Sequence, residues 1–338
     1  MIGRAVLHRL ALVPVIGFVI ATIVFVLLRL IPGNAADILG AEGSGLSAEQ
    51  RAQLVHQLKL DSSMGAQYWA FLVSLLHLNL GASYFSGRTV TNLLSDALPA
   101  TIELAVAAMI VATVFGVVLG AIAAAFRGRW PDSLVRFVAI LSFSLPWFAL
   151  GVLAIVVFGV ELKWLPIFGR FSPGTVYHQK TGFVLVDAII ESNYGILKGW
   201  AEHLALPALT LGLTMMGFLT RITRASILET QAEPYVRTAR MIGLNDKQIL
   251  FHHVMRNAAI PVITVGGLMF GALLGGAVIT EVVFAYPGVG NLLVTAILEH
   301  DYFVAEGAAL AVGLMFMLVS AVVDITALLI DPRLRSAT

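Results

Sequence analysis

The chain has 338 residues, 59% of them hydrophobic and 12% charged, and its mean hydropathy is +0.91. That charged fraction is far below what a water-soluble domain carries, so most of the surface is expected to face lipid. A net charge of +1 from dispersed basic residues gives no sign of a nucleic-acid face, and the lack of cysteine excludes disulfides and thiolate metal sites.

Arg4 and Arg9 precede an apolar run from Leu10 to Ile31, long enough at about 20 residues to cross a bilayer and too long for a typical signal-peptide core. Residues 1–31 are therefore read as a tail and a retained first span, with cleavage after Ala36 as the competing reading. Residues 32–97 hold no spanning run. Ser47 and Gln50 form a capping-box pattern ahead of Leu54 and Leu58. The apolar, aromatic stretch from Tyr68 to Leu80 is too short to cross and is expected to lie at the membrane interface.

Five further spans are expected at 102–126, 137–160, 204–220, 262–285 and 303–330, within a core of 98–331 followed by a tail of 332–338. Pro146 and Pro207 are expected to kink or start their spans. Lys and Arg number three in the 127–136 loop and six in 221–257, whereas 286–302 has none. With Arg333 and Arg335 in the tail, the positive-inside rule places both termini in the cytoplasm and the 32–97 and 161–203 segments outside. The expected fold is all-α and polytopic, with six transmembrane helices. Ala112, Gly116, Gly120 and Ala124 make a small-residue stripe on the second span, and Gly267, Gly271 and Gly275 on the fifth. Such stripes let helices approach closely in lipid, either within one bundle or against a second subunit.

Glu103, Glu281 and Glu306 fall toward outer span ends and Asp324 toward an inner one, leaving the bilayer centre free of charge. That weighs against an ion-coupled secondary transporter, which commonly uses midplane carboxylates or broken helices. No G-x-x-x-x-G-K-[ST], H-E-x-x-H or G-x-S-x-G pattern occurs, so neither nucleotide hydrolysis nor a membrane-embedded enzyme has a nominated site. His252-His253 lacks a metal-binding frame.

The longest polar interval of the second half runs from Tyr235 to Pro261. Pro234 suits a first helical position, Gly243 a stop after Ile242, and Asn245 or Asp246 the cap of a second helix toward Asn257. Tyr235, Val236, Arg237, Thr238, Ala239, Arg240, Gly243, Leu244, Phe251, His253, Asn257, Ile260 and Pro261 together resemble the cytoplasmic "EAA" loop of ABC importer permeases of the peptide/nickel branch. Arg237 and Thr238 stand where the name-giving Glu and Ala would be. A second block, Glu281, Phe284, Pro287, Gly288, Gly290, Ala296, Ile297, Asp301 and Tyr302, resembles the same branch, as do Pro32-Gly33, Leu58–Asp61, Leu80-Gly81 and Pro99-x-Thr101. Asn34 and Asn79 replace the Asp usual there.

The resemblance, to B-type dipeptide/oligopeptide permeases of the type I fold, implies a subunit that is itself no enzyme and holds no cofactor or metal. It implies a second homologous permease, two ATP-binding cassette domains that carry ATP and Mg, and an extracytoplasmic binding protein that delivers a peptide. Tyr235, Arg237, Thr238, Ala239, Arg240, Gly243 and Leu244 are then the ATPase-coupling residues. Glu281 is the translocation-path candidate, able to meet a substrate's ammonium group; the alternative is a turn held by Pro287 and two glycines, with Glu281 reaching the headgroups.

Overall fold

The computed structural model describes residues 2–31, 56 and 62–330. The capping box at Ser47 and Gln50, the landmarks Pro32-Gly33, Asn34 and Leu58–Asp61, the tail 332–338 and the side chains of Arg4, Arg9 and Asp324 lie outside the described residues. Helices follow in the order α1 (Ile2–Leu30), α2 (Met64–Leu76), α3 (Val90–Ala125), α4 (Trp130–Ser144), α5 (Trp147–Ala154), α6 (Val184–Ile190), α7 (Tyr194–Ala232), α8 (Pro234–Met241), α9 (Asp246–Gln248), α10 (Met255–Val283), α11 (Val289–Leu298) and α12 (Tyr302–Ile330). Two π-helical segments continue helices, Ile155–Glu161 after α5 and Ile249–Val254 between α9 and α10.

Among the described residues, four helices are long and apolar enough to cross a membrane alone, at 90–125, 194–232, 246–275 and 302–323. A fifth crossing results if α4 and the α5 limb count as one span, and α1 adds the shorter apolar stretch Pro14–Leu30. The expected count of six rests on including both.

Three expected spans need correction. The run at 137–160 is not one helix: α4 and α5 are bent by 99° at Leu145 and Pro146. Pro146 has no N–H to give, and the residue before a proline is driven out of the helical region; Leu145 duly sits at φ −87°, ψ 132°. The span expected from Ile102 begins twelve residues earlier at Val90, where Thr89 accepts the Asn92 N–H as a cap, so Pro99 lies buried inside the helix. The span expected at 204–220 is 39 residues, with Pro207 in its interior. Both helices outrun the roughly 30 Å hydrocarbon layer at about 1.5 Å per residue.

The bundle is built on α3 packed along α7. A Cβ on Gly116 would stand 2.7 Å from the Leu219 Cβ, and one on Gly120 2.6 Å from the Thr223 Cβ. The first small-residue stripe is therefore used inside this chain. So is part of the second: Gly267 faces Val323 at 2.5 Å and Gly271 faces Phe316 at 3.4 Å, both on α12, while Gly275 meets nothing within 4 Å. α12 packs also on α1 and α11, and α4 lies against α7. The interface helix expected near Tyr68 is α2, which buries no residue fully and leans on α1 through Tyr68 and Phe71 against Phe25.

At the end of the bundle away from α8, buried acids fasten the connecting segments. Glu103 accepts from Arg170 Nη2 (2.6 Å), the Val184 N–H (2.6 Å) and Trp200 Nε1 (3.0 Å). Glu306 pairs with Arg29 at 2.6 Å. Asp301 accepts from Ser83 Oγ at 2.7 Å and from the Tyr84 N–H at 3.1 Å. Asp187 collects five donors from Tyr177, Lys180, Thr181 and Gly182. Burial pushes its carboxyl up, but those donors outweigh burial and hold it well below the usual carboxylate range.

Gly120→Val is expected to lower stability by about 1–3 kcal/mol through overpacking against Thr223. Gly199→Ala on α7, where a Cβ meets nothing within 4 Å, is expected to be neutral or to stabilise by up to ~1 kcal/mol. Thermal unfolding of the purified variants reads both, and equal loss in the two would contradict the packing described.

Candidate functional site

The polar interval folds into one short helix, α8, and a turn from which the chain runs as a single helix through α9 and the π-helical segment into α10, so that the expected second short helix and the span expected from 262 are one element beginning at Asp246. Glu233 at φ −65°, ψ 143° ends α7, and Pro234 opens α8 where its missing N–H costs nothing. Val236 and Ala239, three apart on one face, are 0% and 5% exposed. The helix stops in a left-handed cap: Gly243 has φ +88°, its N–H donates to the Arg240 carbonyl at 3.1 Å, and the Leu244 N–H donates to the Ala239 carbonyl at 3.2 Å. These are the paired bonds of a Schellman motif. The next turn starts with a capping box, in which Asn245 Oδ1 accepts the Gln248 N–H (2.8 Å) and Gln248 Oε1 accepts the Asn245 N–H (3.2 Å).

What holds this corner is apolar. Val236, Ala239, Ile249, Val254 and Ala258 form one cluster with Ala124 at the end of α3 and Ile227 near the end of α7. Asn257 Nδ2 donates to Tyr235 Oη at 2.8 Å, joining α8 to the start of α10. Any tilt of α8 must therefore move three long helices or tear the cluster open.

The predicted coupling residues divide between two faces. Tyr235, Arg237, Thr238, Arg240 and Gly243 are exposed, whereas Ala239 is buried and Leu244 half-buried against the apolar cluster. Exposed here too are Met241 and Ile242, which the motif did not single out, and Phe251, a motif residue outside the coupling set, at 79%, 73% and 66% exposure. Their signal was available as large apolar residues inside a polar interval. Arginines beside exposed apolar tips on a short rigid helix make a surface suited to a partner's groove.

Below this corner Asp132, 1% exposed, fixes the turn after α3. Arg224 of α7 donates to it from Nε at 2.8 Å and from Nη2 at 2.9 Å, and the Gly128 N–H adds a third bond at 3.0 Å. Arg224 is thus more than a positive-inside anchor. In the sequence Asp132 falls in the 127–136 loop, ahead of the span expected from 137; the structure makes it the acid in the first turn of α4.

Glu281 lies at the opposite end and belongs to another device. It is 0% exposed. Thr101 Oγ1 donates to its Oε1 at 2.7 Å, the Asn291 N–H donates to Oε2 at 3.0 Å, and the Val289 N–H donates to Thr101 Oγ1 at 2.8 Å. The carboxylate thus sits at the N-terminus of α11, a favourable place for negative charge. A Cβ on Gly288 would fall on the carboxylate, and one on Gly290 would come within 2.9 Å of Oε2, so both glycines are required by close approach. In this conformation the Glu281 side chain is fully enclosed, and its bonds tie α3, α10 and α11 together. The structure brings Glu281 near none of the coupling residues.

Gly243→Ala is expected to cost about 1–2 kcal/mol from the left-handed backbone alone, because no atom obstructs the new Cβ. Hydrogen exchange of the α8–α9 amides is the measurement, and unchanged protection would reject the cap. Thr101→Val is expected to cost about 1–3 kcal/mol by leaving the Val289 N–H and a Glu281 oxygen without their partner. An unaltered melting temperature for this variant would rule out the lock.

Residues 116–336 match the model of the binding-protein-dependent transport system inner membrane component, and residues 2–105 match that of the N-terminal part of such membrane components. The Di/tripeptide transport system permease protein DppB of Pseudomonas aeruginosa is 39% identical over 97% of both chains. The Probable D,D-dipeptide transport system permease protein DdpB of Escherichia coli is 41% identical over 93% of this chain and 92% of the relative. A solved amino acid ABC transporter superposes with a TM-score of 0.50 at 12% identity, covering 70% of this chain and 94% of the other, which concerns the fold alone. With family models covering most of its length and relatives matched almost end to end, the chain belongs to the inner-membrane components of binding-protein-dependent transport systems.

Proposed function

We propose that this chain is one of two membrane-spanning subunits of an ATP-driven importer and carries di- or oligopeptides into the cell by alternating access. The observation that carries the reading is the α8–α9 corner. Its outer face offers Arg237, Arg240, Met241, Ile242 and Phe251 to a partner, while its inner face is fused to the ends of α3, α7 and α10. A partner that hydrolyses ATP and moves this corner moves the bundle as a rigid body. The basic loops put the corner and both termini on the cytoplasmic side. Two ATP-binding cassette domains dock there with their own ATP and Mg, a second permease completes the pathway, and a binding protein delivers the peptide from outside. The names of the relatives, which specify dipeptide and di/tripeptide transport, support peptide as the cargo.

Under this reading the coupling residues take unequal parts. Tyr235, Arg237, Thr238 and Arg240 meet the ATPase, Gly243 shapes the corner, and Ala239 and Leu244 seat it. Glu281 holds the α10–α11 turn closed instead of contacting the substrate's ammonium group.

The chain has no cysteine, so a single introduced thiol is unique within it. Met241→Cys in the assembled transporter is expected to crosslink to an ATP-hydrolysing subunit. The pair Arg237→Glu and Arg240→Glu is expected to lower uptake by about tenfold or more, equivalent to ~1.4 kcal/mol of lost docking, with normal accumulation of the chain. Absence of any nucleotide hydrolase from the purified complex would overturn the proposal.

A further inference from the structure

A groove of about 260 Å³ runs between α4 and α7 near the Asp132–Arg224 pair, away from the outer face of α8 and α9. Its depth comes from the close approach of the two helices where Gly217 meets the Ala139 backbone. Ile140 and Phe143 form one wall, 66% and 70% exposed, and Phe218 the other. The rim is basic: Arg136, Arg221 and Arg224 all line it.

Charge does not balance at that rim. Asp132 is committed to Arg224 through two bonds of 2.8 and 2.9 Å. Arg136 reaches the same carboxylate at 3.4 Å while more than half exposed, and touches Ser133 Oγ at 3.4 Å. Arg221 is exposed and lies over the Phe218 ring at 5.0 Å. Two guanidinium groups thus share the Asp132 carboxylate, and Arg221 adds a third positive charge to the rim. Thr220, 2% exposed and also lining the groove, keeps a buried Oγ1 with no hydrogen-bond partner among the described residues. A buried hydroxyl without a partner is uncommon, because it gives up its bonds to water and gains none in return.

We propose that this groove is a binding site for an anionic phospholipid, whose phosphate sits between Arg136 and Arg221 and whose acyl chain lies along Ile140, Phe143 and Phe218. The charge pattern calls for an anion and the walls for hydrocarbon, a combination that a membrane supplies in one molecule. The depth fits: Trp130, 76% exposed at the start of α4, is the kind of side chain that settles at headgroup level, less than two helical turns from Arg136.

The test uses the complete transporter in detergent, with phosphatidylglycerol or phosphatidylcholine of the same chain length added and retained lipid counted by native mass spectrometry. Preferential retention of phosphatidylglycerol is expected, falling roughly fivefold for each of Arg136→Gln and Arg221→Gln, since one basic residue near an anionic lipid contributes about that factor. Arg136→Lys and Arg221→Lys are expected to keep most of it, which separates loss of charge from damage to the fold. Equal retention of the two lipids, or unchanged retention in the double Gln variant, would overturn the site. So would an Ile140→Cys thiol that crosslinks efficiently to the second permease, since a protein would then fill the groove.

Discussion

The close contact of α3 with α7 is the constraint from which the rest of the molecule follows. Lipid gives apolar helices little reason to prefer one neighbour over another, so association depends on surfaces that fit at short range. Gly116 and Gly120 remove the side chains that would separate these helices, and Leu219 and Thr223 fill the space. Once the pair is fixed, Ala124 and Ile227 come together at one end and provide the seat for Val236 and Ala239 of α8. At the other end Thr101 and Glu103 come to face the turns that return from α10 and α5. Both ends are organised by one contact.

The acids near the far end show how a membrane protein tolerates charge. Buried carboxylates are expensive unless each oxygen is engaged. Glu103, Glu281, Asp301 and Glu306 each meet hydroxyl, guanidinium or backbone donors. Their partners come from distant parts of the chain: Glu103 and Asp301 fasten connecting segments through Arg170 and Ser83, Glu281 ties α10 to α3 and α11, and Glu306 ties α12 to α1. The same economy explains Asp132, a single carboxylate that ties the turn after α3 to α7 through Arg224. Under the proposed alternating access, a bundle fastened in this way would move in large pieces, with the element rooted in three of its helices driving the motion.

Much of the α8–α9 corner was legible in the sequence. Pro234, Gly243 and Asn245 have local preferences strong enough to set a helix start, a left-handed stop and a cap, and all three occupy those positions. Helix ends were less legible. Val90 and Tyr194 begin helices that continue well past the apolar run, since a helix leaving the membrane keeps its backbone bonds while its side chains turn polar. The bend at Pro146 was foreseeable in kind but not in size, because a proline removes one bond and forbids one backbone region, whereas the 99° angle is set by what α4 and α5 pack against.

Glu281 marks the boundary most clearly. Sequence alone established a lipid-embedded helical chain, a hydrated helix pair between two spans and an acid beside a Pro-Gly turn, because hydropathy, charge placement and turn chemistry are local quantities. Tertiary structure alone decided that this acid is enclosed by Thr101 and the start of α11, that the small-residue stripes are spent largely inside the chain, and that Met241, Ile242 and Phe251 point outward. Those outcomes depend on residues as far apart as Thr101 and Glu281, and no local pattern encodes which distant donor a carboxylate will meet.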